Sequence, residues 1–163
     1  MSPKETERCP VCGMKAETGR YMLEYHKLRH HFCSQQCLDM FSMHPHLYLG
    51  ISSMQPAEVV KRRKIYLAEP LDAEMAEAIT SRLREMMGIK EIQAHGSIIR
   101  IRYDLLQLTL SSIENVLHEN DIQLDKSWFR RFRRSMIQSL EENELDNLAR
   151  KPGSCCNRPP PGA

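Results

Sequence analysis

Cys9-Pro10-Val11-Cys12-Gly13-Met14 and His30-His31-Phe32-Cys33-Ser34-Gln35-Gln36-Cys37-Leu38-Asp39-Met40-Phe41 are the two stretches from which the rest of the chain is read. Their cysteines follow the spacing C-x2-C-x20-C-x3-C. Four thiols in two close pairs are what a tetrahedral site for a soft metal ion requires. A C-x2-C turn lets two sulfurs converge on one ion, and Gly13 follows it where a tight turn calls for positive φ. Cys33 and Cys37 are four positions apart, which stacks them on one face of a helix. Ser34 is placed to cap that helix, and Pro45 limits its far end.

The combination of CPVCGM, a variable hairpin region, HFCSQQCLDMF and the following Pro45 and Tyr48-Leu49 resembles the YHS/TRASH family of small metal-binding modules. The resemblance covers about the first fifty residues and implies a treble-clef-like fold. It puts the metal ligands on Cys9, Cys12, Cys33 and Cys37, and implies a role in copper or zinc handling. One departure is His30-His31, where many members carry Tyr-Tyr or Tyr-His ahead of the FCS. Four thiolates suit Zn²⁺, and Cu⁺ is the alternative because it is also soft. A purely structural zinc and an ion whose occupancy carries function both fit this pattern.

Between the cysteine pairs, Tyr21, Leu23, Tyr25, Leu28 and Phe32 predict a short hairpin turning near His26-Lys27. Phe32, Leu38, Phe41 and Tyr48 form the expected apolar cluster under the metal. So small a cluster leaves metal binding to supply much of the folding free energy of residues 1–50. Five of the seven histidines lie in this part of the chain, where solvated loop and helix positions account for them.

Residues 51–64 read as a linker, with Pro56, two serines and the basic run Lys61-Arg62-Arg63-Lys64. A second unit is expected over 65–126. It comprises a strand from Ile65, a helix over 73–87 capped by Asp72 and ended by Gly88, and strands over Ile89–Ala94 and Ile98–Tyr103. A helix opened by the capping box Ser111-x-x-Glu114 and a last strand over 121–125 complete it. The order βαββαβ describes a ferredoxin-like sandwich, so the fold class expected for the whole chain is α+β. The same order resembles a heavy-metal-associated domain over roughly residues 64–125. That family binds Cu⁺ through a C-x2-C in the first strand-to-helix loop. Here the loop is Ala68-Glu69-Pro70-Leu71-Asp72, so no ligand role carries over to it.

Ser127 is placed to cap an amphipathic helix over 127–149, with Trp128, Phe129, Phe132, Met136, Leu140, Leu145 and Leu148 as its apolar side. Arg130, Arg131, Arg133 and Arg134 precede Glu141, Glu142, Glu144 and Asp146, the reverse of what the helix dipole favours. Residues 150–163 are rich in Pro and Gly, read as a disordered tail, and carry Cys155-Cys156.

The chain has 163 residues, a net charge of +2 and 27% charged residues, which argues against a general nucleic-acid binder. No apolar run reaches the roughly 20 residues of a membrane span. The polar opening MSPKETERCP and the paired cysteines predict a reduced, cytoplasmic setting. No Ser-His-Asp order, phosphate loop or nucleotide fingerprint is visible. The expectation is a non-enzymatic metal-binding protein, with a protein partner or self-association through the middle unit or helix 127–149.

Overall fold

The computed structural model describes residues 8–16, 19–49 and 58–149. It is a mixed α/β structure with two small antiparallel sheets. The first sheet is the hairpin β1 (Met22–Tyr25) and β2 (Leu28–His31), with Tyr25 opposite Leu28. His26 and Lys27 both have positive φ, 51° and 65°, as a two-residue turn that matches the strand twist requires. Helix α1 (Gln35–Met43) follows, with Ser34 as its N-cap, and α2 (Pro45–Leu49) is one turn beyond it. Phe32 and Phe41 are buried beneath the cysteines, with Leu38 and Tyr48 packed against them.

The second sheet has the order β3-β5-β4, from β3 (Val60–Tyr66), β4 (Ile89–His95) and β5 (Ile98–Asp104). Helices α3 (Ala73–Arg84) and α4 (Leu110–Glu119) pack Ile79, Leu83, Ile113 and Leu117 onto Ile65, Ile99, Ile101 and Tyr103. The 22-residue helix α5 (Trp128–Ala149) inserts Leu145 into the same core.

Five expectations are corrected. The expected linker 51–64 falls outside the described residues up to Ala57, but 60–64 belong to β3, which places the basic run in the sheet. The strand was hidden because Lys61 and Arg63 occupy its inward positions and meet carboxylates instead of apolar groups: Lys61 pairs with Glu144 and Arg63 with Glu141. The last strand expected over 121–125 is a single bridge, Leu67 to Leu124, because the chain turns at Ser127 into α5. The N-cap of α4 is Thr109, whose hydroxyl accepts from the Ser112 N–H, so Ser111 lies inside the helix; Glu114 faces Arg134 and Gln138 on α5. On α5, Trp128, Phe129, Phe132, Met136 and Leu140 are exposed, and the residues it buries are Glu141 and Leu145.

Helix α3 stops at Arg84, three residues before the expected end, and the turn through Met86 and Met87 reaches Gly88 at φ +92°. A Cβ at Gly88 would lie 3.0 Å from Cβ of Gln107, so this turn requires glycine on both counts. The tail with Cys155-Cys156 lies outside the described residues.

Candidate metal centre

The first cysteine pair sits on a tight turn. The Cys9 N–H donates to the Met14 carbonyl and the Gly13 N–H to the Cys9 carbonyl, both at 2.8 Å. Gly13 takes φ +74°, which points the chain back on itself and leaves both sulfurs on one side. The second pair is set by α1. Ser34 Oγ accepts from the Cys37 N–H at 3.3 Å, which fixes where the helix begins and so brings Cys33 and Cys37 onto one face. The Phe32 N–H donates to the Tyr21 carbonyl at 2.9 Å and ties the strand leading into Cys33 to the hairpin.

The result is one cluster. The sulfurs of Cys9, Cys12, Cys33 and Cys37 all lie within 4.8 Å of one another. Cys12 and Cys33 are 3.3 Å apart and Cys33 and Cys37 are 3.7 Å apart, and all four are thiols, with no disulfide among them. A Zn–S bond of about 2.3 Å in a tetrahedron puts sulfurs about 3.8 Å apart, so this donor set fits a soft tetrahedral ion with small adjustments. Cys9 and Cys37 are buried, whereas Cys12 and Cys33 are half-buried and offer a way in from solvent. Among the described residues these cysteines are the one group of potential ligands that converges, and no histidine joins them.

Charge in the cluster is uneven. The hydrogen bond from the Cys37 thiol holds Cys9 far below the usual thiol range, at about 4, although burial opposes it. The same bond, with burial, keeps the Cys37 proton on well above the usual range. Burial pushes Cys12 up to about 12. The hydrogen bond from Cys37 thus favours negative charge at Cys9 over its neighbours.

A further sulfur was not foreseen from the sequence. Met87, in the turn after α3, brings its thioether to 3.9 Å from Cys33 Sγ. Gln36 on α1 holds it there, donating to the Met87 carbonyl at 2.7 Å and to the Gln107 carbonyl at 2.9 Å while accepting from the Met87 N–H at 3.1 Å. The pairing lies 51 positions apart along the chain, so no local pattern announces it.

The sequence model of the YHS domain matches residues 8–51, the segment that contains all four clustered cysteines. No curated protein and no solved structure matches the chain.

Proposed function

We propose that this chain is a transition-metal-handling protein that holds one Zn²⁺ or Cu⁺ on Cys9, Cys12, Cys33 and Cys37 and acts in copper or zinc homeostasis as a chaperone, sensor or accessory factor. The observation that carries the reading is the convergence of the four sulfurs within 4.8 Å, inside the stretch similar to a YHS domain. The half-buried Cys12 and Cys33 favour an ion that a competing thiol can reach. Thiol exchange proceeds through such accessible sulfurs, whereas a closed structural site offers none. The Met87 thioether at 3.9 Å adds a soft donor beside the cluster, which suits Cu⁺ more than Zn²⁺.

In this reading the second unit is a scaffold without catalytic chemistry, and the protein works in the cytoplasm. Its sheet order β3-β5-β4 and the bridge from Leu67 to Leu124 support a ferredoxin-like relation with a vestigial fourth strand, as in a heavy-metal-associated domain that has lost its thiols. The exposed stripe of Trp128, Phe132, Met136 and Leu140 on α5 supports association with a protein partner. Among the described residues no helix is long and apolar enough to cross a membrane.

A second reading has its own observation. Gln36 bonds three backbone groups of the second unit from the helix that carries Cys37, as a structural zinc locking two units together would require. Elemental analysis of protein purified without added metal, followed by the rate of metal transfer to a competing thiol chelator, separates the two. Transfer within minutes is expected for the first reading. One tightly held zinc per chain with no measurable transfer over that time leaves the adaptor reading standing.

A further inference from the structure

Strands β3 and β5 hold an arrangement of charge that packing does not explain. In their register Arg62 stands directly opposite Arg102, and Lys64 directly opposite Arg100. Side chains alternate along a strand, so these four share the face turned away from buried Ile65, Ile99 and Ile101. Like charges directly opposed across a sheet are destabilising. Only Arg102 is answered nearby, by Glu91 at 3.2 Å, and its Nε is buried with no acceptor. Arg62, Lys64 and Arg100 have no carboxylate within ion-pair distance among the described residues, and neither does Arg133 on the first turns of α5.

These groups line one cavity of about 630 Å³ between the sheet and the start of α5. Arg130 also borders it, with its guanidinium 3.2 Å from the centre of the Tyr66 ring and its charge shared with Asp125. Phe129, also on the wall, is exposed. The volume lies in the range of small-ligand sites, about 300–1,000 Å³. Eight of the residues that line it are Lys or Arg and two, Glu91 and Glu114, are acidic, against a net charge of +2 for the whole chain, so cationic charge is concentrated at this cleft. That distribution fits a compact ligand with several adjacent negative charges better than a long nucleic-acid strand, whose backbone needs an extended basic path.

We propose that this cleft binds a small polyphosphate ester, with Arg62, Lys64, Arg100 and Arg133 on its phosphates and the Phe129 ring against its organic part. Phosphate oxygens answer several guanidinium groups at once. The site is separate from the cysteine cluster and does not depend on what the cluster binds.

The test uses the metal-loaded full chain, with metal content checked afterwards because polyphosphates chelate. Titration calorimetry compares inorganic tripolyphosphate, orthophosphate and a short single-stranded oligonucleotide against wild type and the double variant Arg62→Gln/Arg100→Gln. The expected result is one tripolyphosphate per chain, bound more tightly than orthophosphate, with affinity at least tenfold weaker in the variant. The variant should be no less stable than wild type in low salt, since it relieves the opposed charges. Equal affinity in the variant, or no tripolyphosphate binding, overturns the proposal. A variant that loses stability makes the face structural and also overturns it. An oligonucleotide that binds the cleft more tightly than tripolyphosphate overturns the choice of a small ligand.

Discussion

Glu141 shows what a single buried charge asks of its surroundings. It is 2% exposed, yet its carboxylate accepts from the Tyr103 hydroxyl, from the Leu110 N–H at 2.9 Å and from Arg63, whose Nη2 lies 3.1 Å away. Removing one member of a buried pair leaves the other charge uncompensated, at a cost of about 3–5 kcal/mol. Glu141→Ala is therefore expected to lower the urea midpoint sharply by that order. Replacing exposed Glu142 with alanine should leave it nearly unchanged. The cysteines make a second expectation at this scale. Burial and the bond to Cys9 make Cys12 and Cys37 hold their protons more tightly than ordinary thiols, whereas the bond from Cys37 shifts Cys9 the other way. A metal ion must displace the Cys12 and Cys37 protons, so binding releases them at neutral pH. Apparent affinity should fall as pH falls, by about tenfold per released proton per pH unit. Calorimetry in buffers of different ionisation enthalpy measures that release; an enthalpy independent of buffer would contradict it.

At the scale of the element, α4 separates two hydroxyls that the sequence could not rank. Thr109 caps the helix, and Ser111, two residues on, does not. Thr109→Ala should cost about 1 kcal/mol, as the loss of an N-cap does, and Ser111→Ala should cost little; thermal melts of both variants decide it. Ser111-x-x-Glu114 has the form of a capping box, but Glu114 is drawn to Arg134 at 3.8 Å and to Gln138 at 3.0 Å on another helix. The cysteine cluster was legible because its geometry is local: one turn and one helical repeat place two sulfurs each. The hairpin and β5 were legible for the same reason, since alternation survives where one face is buried and the other wet. The start of β3 was not, because Lys61 and Arg63 satisfy their inward positions through carboxylates more than seventy positions away. The reversed charge order of α5 has the same origin. Glu141 and Glu144 answer β3, while Arg130 and Arg134 answer Asp125 and Glu114, so tertiary ion pairs outweigh a dipole preference of about 0.3–1 kcal/mol. Met87 beside Cys33 had no sequence signal at all.

Across the whole molecule, the metal module and the second unit are not independent. Leu47 of α2 is buried in the larger core, and Gln36 reaches Met87 and Gln107. His44 at the end of α1 lies 3.6 Å from Asp146 on α5. Differential scanning calorimetry of the metal-loaded chain should show one cooperative transition. Stripping the metal should lower its midpoint, because an ion that binds only the folded state stabilises it by mass action. Two resolved transitions, with the later one indifferent to chelator, would show instead that the units melt separately.

Tyr48 belongs to both cores. Its ring stacks on Phe41 at 6.1 Å between centroids, under the cysteines, and its hydroxyl donates to the Leu106 carbonyl at 2.8 Å in the loop after β5. A phenol clamped at both ends gives a chiral optical signal that collapses when either end lets go. If an ion on the four cysteines tightens the packing under them, near-ultraviolet circular dichroism is expected to register its addition at Tyr48 without any dye, and an unchanged tyrosine band on metal addition would show that the clamp is set without the ion.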